Sequence, residues 1–185
     1  MKRERTIYTV GHSTRPAGAL EELLLEQGVE LLVDVRRFPA SRRHPHFAQA
    51  ELANSLRRAG IEYRHEIDLG GRRKTRADSP NTAWRNASFR GYADHVQTEA
   101  FESALARVLD QAAARPTAIM CAEAHPSRCH RRIISDLLTL RGWRVRHVIE
   151  RDRVEDHVLD ESARSTADGS IVYPAPRQQD LEFEG

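Results

Sequence analysis

The sequence predicts an α/β fold, a Rossmann-like, doubly wound and mostly parallel sheet with helices on both faces, and three observations carry that prediction. Short runs of β-branched and apolar residues alternate with stretches of helical periodicity along most of the chain. Two of those runs, residues 29–35 and 118–122, are nearly apolar throughout, as strands buried on both faces are. Polar residues able to do chemistry follow the runs directly, at the strand ends where open α/β sheets place their ligands.

Each element follows in order. Ile7-Tyr8-Thr9-Val10 is a first strand, closed by Gly11-His12-Ser13-Thr14, whose hydroxyls are expected to cap a helix starting near Ala17. Leu20, Leu23, Leu24 and Leu25 give that helix its core face, and Gly28 ends it before the strand Val29 to Val35. Strand, helix, strand is a βαβ unit with a right-handed crossover expected. Residues 48–59 read as a second helix with Leu52 and Leu56 inward, and Gly60 stops it ahead of the strand Ile61 to His65. The polar, glycine-rich stretch from Glu66 to Asn86 lacks periodicity and is read as a functional flap or a mobile surface loop. Tyr92 to Ala113 reads as one long helix ended by Arg115-Pro116, and Thr117 to Ala122 is the next strand. Ser127 is a candidate N-cap for the helix carrying His130 to Leu140. Gly142 then turns the chain into residues 143–149, whose alternation of apolar and basic residues fits a strand near a sheet edge.

At 185 residues the chain suffices for one sizeable core. We expect a single α/β domain over residues 1–150 and an acidic, turn-rich extension over 151–185. That extension offers one short strand at Ser170 to Pro174, packed on the domain or fraying from it. No apolar run approaches the roughly 20 residues needed to span a bilayer, and the charged start leads straight into a strand, so a cytoplasmic protein without a membrane partner is the expectation. Two cysteines without secretory signals point to reduced thiols. The formal charge is only +2, yet removing two lysines from 29 cations leaves 27 arginines, the planar partners of phosphates and carboxylates. Arginine-favouring codons give the same bias, so composition alone does not establish nucleic-acid binding. Fingerprints of the Gly-x-Gly-x-x-Gly and Gly-Lys-Ser/Thr types are absent, which disfavours dinucleotide and triphosphate chemistry, and no cofactor is expected.

Chemistry concentrates in three segments. Asp34 ends the second strand and is followed by Arg36, Arg37, Arg42 and Arg43 with two histidines, an anion-binding loop with an acid or base beside it, or a solvated charge run. The flap carries Arg72 and Arg73, with Trp84, Phe89 and Tyr92 near its exit, aromatics that stack on a base or cap the core, Phe89 fitting the core better. The third segment, Cys121 to Arg132, crowds sulfur, carboxylate, imidazole and guanidinium into one loop.

Together Thr9-Val10-Gly11-His12-Ser13, Asp34-Val35-Arg36 with Pro39 and Ser41, and Met120-Cys121-Ala122-Glu123 with Cys129-His130-Arg131 resemble the signature blocks of the family named domain of unknown function 488. Gly60-Ile61-Glu62-Tyr63 with Leu69-Gly70-Gly71, and Phe89 with Gly91-Tyr92-Ala93, match its pattern too. The resemblance covers residues 6 to 149. It implies the fold and, through some members, DNA glycosylase activity on modified pyrimidines such as 5-hydroxymethyluracil.

A glycosylase extrudes a base and stabilises a sugar of oxocarbenium character. Candidate catalytic residues are Glu123, Asp34, Ser13, His12 and His130. Candidate substrate contacts are Arg36, Arg37, Arg42, Arg43, Arg72, Arg73, Cys129, Arg131, Trp84 and Tyr92, with DNA as partner. The alternative reading of Asp34 and Glu123 is as helix caps or ion-pair partners of nearby arginines. An alternative is thiolate chemistry at Cys129, in sulfur transfer or redox sensing, favoured by neighbouring cations; a Cys-x5-Arg phosphatase loop is absent. Cys121, His125, Cys129 and His130 are zinc-type ligands in a non-standard spacing, and no metal is expected. A noncatalytic nucleic-acid module is the last alternative, and it needs no carboxylates aimed at one sheet edge.

Overall fold

The computed structural model describes residues 5–16 and 18–176. Its centre is a six-stranded sheet of β1 (Thr6–Gly11), β2 (Leu31–Asp34), β3 (Glu62–His65), β4 (Thr117–Cys121), β5 (Arg144–Glu150) and β6 (Arg153–Asp156), in the order β3-β2-β4-β1-β5-β6. All neighbours are parallel except β5 and β6. The doubly wound α/β fold is thus as the alternation of elements predicts. Between them run α1 (Ala19–Glu26), α2 (Gln49–Arg58), α3 (Ala87–His95), α4 (Glu99–Ala114) and α5 (Arg131–Leu140). None of these helices is long and apolar enough to cross a membrane.

The period of two along the strands divides the core between two faces. Ala118 and Met120 of β4 join Leu20, Leu24, Leu52 and Leu56 of α1 and α2. Ile119 and Cys121 face the other way, into a cluster with Tyr92, Phe101, Leu105, Ile133 and Leu137 of α3, α4 and α5. β4 lies between β1 and β2 and is buried along its whole length, which is why its sequence is apolar from Ala118 to Cys121. The chain winds from β1 past β4 to β2 and later from β4 past β1 to β5, so the carboxyl ends of β1, β2 and β4 frame the crevice where the order reverses.

Several boundaries differ from the sequence-based expectation. Neither Ser13 nor Thr14 caps α1; its N-cap is Gly18, with no side-chain bond, and Ser13 donates its N–H to Ala122 O. The long helix expected from Tyr92 to Ala113 is two helices, because the Thr98 side chain accepts from Phe101 N at 3.3 Å and restarts the backbone ladder. Ser127 does not cap α5. It lies in a 3-10 turn, Pro126–Arg128, and α5 begins three residues later. β6 was not expected, and its antiparallel pairing makes β5 an internal neighbour of the edge.

The stretch from Glu66 to Asn86 is held in place by hydrogen bonds. Tyr92 Oη donates to Leu69 O at 2.6 Å, His95 Nε2 to Asp68 O at 2.6 Å, and Asp94 accepts from Arg76 N and Asn81 Nδ2, both at 2.8 Å. The extension packs on the same body. Residues Ile171–Val172 (β8) pair with Arg164–Ser165 (β7), and Tyr173 is buried with its hydroxyl on Asp136 Oδ2 at 2.8 Å. Tyr173 also bonds back to the stretch, its N–H to Asn81 Oδ1 and its carbonyl from Ala83 N, each at 2.9 Å. The expected fraying concerns residues 177–185, outside the described residues.

Candidate active site

A cavity of about 400 Å³ opens at the carboxyl ends of the strands, lined by Glu123, His130, Cys121 and Cys129 on one side and by Arg36, Arg37, Phe38 and Arg72 on another. Phe89, Ser88, Tyr92, Gly71, Ala122 and Arg128 complete its wall. The two carboxylates read as candidates from sequence stand in different environments. Glu123 is exposed and lines the cavity. Asp34 is 0% exposed and lies behind the lining, accepting from Arg36 N at 3.0 Å, from Arg36 Nε at 2.9 Å, from Arg36 Nη2 at 2.6 Å and from Tyr63 Oη at 2.8 Å. It anchors Arg36, which is 7% exposed, at the cavity wall. Burial, with the neighbouring Asp34 charge, raises the Tyr63 phenol far above its ordinary range, so it stays a donor.

His12 supports the same arginine. Its Nδ1 donates to Ser13 O at 2.9 Å, which leaves Nε2 to accept from Arg36 Nη1 at 3.3 Å. Both ring nitrogens are thereby engaged outside the cavity lining, and burial lowers its pKa to about 4. His130 is different: Nε2 donates to Val35 O at 3.1 Å, so Nδ1 is the acceptor of a neutral ring. Burial is again the main cause of a pKa lowered to about 4. Gly71 leaves this nitrogen room, since a Cβ there would stand 2.9 Å from His130 Nδ1.

Gly11 is dictated by packing of the same kind. A Cβ on it would sit 1.8 Å from Glu123 O, so the turn that presents Glu123 closes directly onto β1. Ser13, just beyond, and Arg72, on the cavity wall, are the two non-glycine residues with positive φ among the described residues, at 50° and 59°. Such conformations cost about 1–2 kcal/mol and persist where surrounding structure enforces them. Around Arg72 that enforcement includes Arg37 Nη1, which donates to Arg72 O at 2.8 Å.

Behind the cysteines lies Arg131, 1% exposed. Its Nε points at Cys121 Sγ, 3.0 Å away, and at Cys129 Sγ, 3.2 Å away, while Nη2 donates to Glu123 O at 2.6 Å and Nη1 to Thr9 Oγ1 at 3.1 Å. Thr9 Oγ1 continues to His147 Nδ1 at 2.7 Å, His147 Nε2 to His157 Nδ1 at 2.9 Å, and His157 Nε2 to Asp136 Oδ1 at 2.8 Å. A hydrogen-bonded chain with one consistent set of tautomers therefore crosses the molecule from the cavity floor to the extension.

Of the residues singled out from sequence, Glu123, His130, Arg36, Arg37, Arg72, Cys129 and Tyr92 come together at the cavity. Asp34, His12 and Arg131 stand immediately behind it through the bonds given above. Ser13 is outside the lining, as are Arg42 and Arg43, which are exposed on their loop. Arg73 turns back onto Gly70 O at 2.9 Å and Ile67 O at 3.1 Å. Trp84 stacks on Phe89 at 4.9 Å between ring centroids and also packs against Tyr173, one wall removed from the cavity. Sequence reasoning missed Phe38, Ser88 and Arg128 as lining residues and assigned Phe89 to the core, which it touches from the cavity side. Phe38 did carry a signal, being an aromatic among arginines without a buried periodicity; it is 60% exposed, with Arg37 and Arg72 over its ring at 5.6 and 5.9 Å. Among the described residues Arg37, Arg72 and Arg128 enter no ion pair, so the cavity presents guanidinium groups not neutralised by carboxylates. No cluster of three or more His, Cys, Asp or Glu among the described residues is arranged to hold a metal.

The family model described as "Domain of unknown function DUF488" matches residues 16–138. No curated protein and no solved structure matches the chain.

Proposed function

For a chain that belongs to the DUF488 family, we propose a DNA-acting N-glycosylase that hydrolyses the N-glycosidic bond of a modified pyrimidine of the 5-hydroxymethyluracil type in the cavity at the ends of β1, β2 and β4. The observation that carries this reading is a solvent-open carboxylate, Glu123, sharing a base-sized cavity with aromatic rings and with Arg37, Arg72 and Arg128, which enter no ion pair among the described residues. An extruded base needs a π-face, here Phe38 or Phe89, and acceptors for its polar edge. The neutral His130 offers Nδ1 to an N–H or to a hydroxymethyl O–H. As the bond breaks, positive charge develops on the sugar and negative charge on the base. Glu123 offsets the first or orients the attacking water, and the guanidinium of Arg36, fixed by Asp34 and His12, stabilises the second. Because both histidines are neutral near pH 7, they contribute hydrogen bonds and the arginines supply the positive charge. Arg37, Arg72 and Arg128 contact flanking phosphates.

Incubation with duplexes each bearing one modified base, followed by detection of abasic sites, tests the proposal. Release from at least one modified pyrimidine is expected, with Glu123→Gln losing about a hundredfold or more in turnover while still binding the duplex. Absence of release from every substrate beside an active control glycosylase rejects the assignment.

A further inference from the structure

The glycosylase reading leaves the cavity's sulfur atoms unused. Cys121 ends β4 and Cys129 precedes α5, and their sulfurs lie 3.0 Å apart as free thiols. Both are almost fully buried, at 2% and 6% exposure, yet both line the cavity, so a small molecule entering it reaches them. Among the described residues Arg131 has no carboxylate partner. A buried guanidinium without a counter-ion is costly, and among the described residues the atoms beside it able to carry negative charge are these two sulfurs.

The hydrogen bonds assign that charge. Arg131 Nε is shared by the two sulfurs, 3.0 Å from Cys121 Sγ and 3.2 Å from Cys129 Sγ, but Cys129 Sγ also accepts from Arg131 N at 3.3 Å, whereas the Cys121 thiol has acceptors for its own proton in Cys129 Sγ and, at 3.8 Å, Glu123 O. Burial opposes ionisation at Cys129, but the bond from Cys121 and the Arg131 cation outweigh it and bring its pKa down, while burial drives that of Cys121 up.

We propose that Cys129 and Cys121 form a two-electron redox centre in which Cys129 is the attacking thiolate and Cys121 the resolving thiol, acting on a small peroxide admitted through the cavity. The Cys129 sulfur attacks one peroxide oxygen, forming an S–O bond as the O–O bond breaks and the leaving oxygen departs as hydroxide. Cys121 sulfur then displaces the sulfenic oxygen, the S–S bond forms, and the thiol proton leaves with that oxygen as water. Two thiols lose two electrons, hydrogen peroxide gains them, and the sum is one disulfide and two waters. An external dithiol reverses the change by exchange.

The test uses the intact, reduced chain and stoichiometric hydrogen peroxide, without DNA, so its outcome is independent of the glycosylase assay. The expected product has lost about 2 Da and both titratable thiols, yields a peptide pair linked through Cys121 and Cys129, and returns to the starting mass with dithiothreitol. Cys121→Ser should stop at a sulfenic acid on Cys129 that dimedone traps, and Cys129→Ser should react at least about tenfold more slowly than the wild type. Circular dichroism establishes that each variant is folded, and the wild-type mass decides the matter should either variant fail to fold. Retention of both thiols under peroxide that oxidises a control dithiol protein, or a wild type that gains oxygen on Cys129 without forming the disulfide, overturns the proposal. So does a folded Cys129→Ser variant as reactive as the wild type.

Discussion

Replacing Asp34 by alanine removes the acceptor on which Arg36 is built. The carboxylate is 0% exposed and takes three separate N–H groups of Arg36 besides the Tyr63 hydroxyl. At 7% exposure Arg36 has little access to solvent in compensation, so the variant holds a nearly buried cation with His12 Nε2 as its remaining side-chain partner. Breaking a buried pair from one side costs about 3–5 kcal/mol, against a total stability of about 5–15 kcal/mol for a domain. For a chain of this size each 1 kcal/mol moves Tm by about 2–4 °C, so a fall of about 6–20 °C is expected. Replacing both residues, as Asp34→Ala with Arg36→Met, should recover at least about 2 kcal/mol relative to the sum of the single changes, because the penalty lies in the unpaired charge. Urea unfolding at pH 7 of the four proteins measures every corner of the cycle. A cost below about 1 kcal/mol for Asp34→Ala, or strict additivity in the double variant, would show that Asp34 does not hold Arg36 by the electrostatics described.

Gly11→Ala should cost about 3 kcal/mol or more, at the upper end of overpacking, because its Cβ meets Glu123 O at 1.8 Å and main chain cannot swing aside; urea unfolding reads it, and a neutral substitution contradicts the packing. Acid should destabilise the fold before most carboxylates titrate. His12, His130 and His147 have folded pKa values lowered to about 4, 4 and 3, chiefly by burial, so between about pH 6.5 and 4 the unfolded chain binds more protons, and stability is full above that window and lost as pH falls through it. Each contributes a slope of up to about 1.4 kcal/mol per pH unit, and a stability flat from pH 7 to 5 refutes the neutral assignments. If the cavity rim binds phosphates, Arg72→Ala should weaken duplex binding without changing sequence preference and lower the magnitude of the log Kd against log salt slope by about one; an unchanged slope removes Arg72 from the interface.

The sheet and its buried strands were legible because a doubly buried strand is mostly apolar, as residues 118–121 are. The cut between α3 and α4 was less so: the apolar spacing continues across it, and one Thr98 hydroxyl decides where the second helix begins. β6 was missed since its sequence, Arg-Val-Glu-Asp, has a half-buried edge pattern with little apolar signal. For the site, the three segments that meet at the cavity could be found from strand ends alone. Which carboxylate faces solvent could not, because Asp34 and Glu123 each follow a buried strand and only the register and the reach of Arg36 and Tyr63 enclose the first. Arg131 was placed with the substrate contacts for want of any sequence sign that its guanidinium would turn inward under two sulfurs.

The order of the strands bears on what counts as a separable unit. The region matched by the family model, residues 16–138, omits β1 and β5. Yet β1 lies at the heart of the sheet, with β4 on one flank and β5 on the other, and its Thr9 hydroxyl accepts from the guanidinium beneath the cavity. A polypeptide cut to the matched residues would expose one whole side of β4 and leave Asp136 without His157 and Tyr173. The stretch that the family model matches therefore lacks strands on which its own core rests. Excision at those boundaries should yield an aggregating fragment, and shuffling between members of the family has to carry both flanking strands with it.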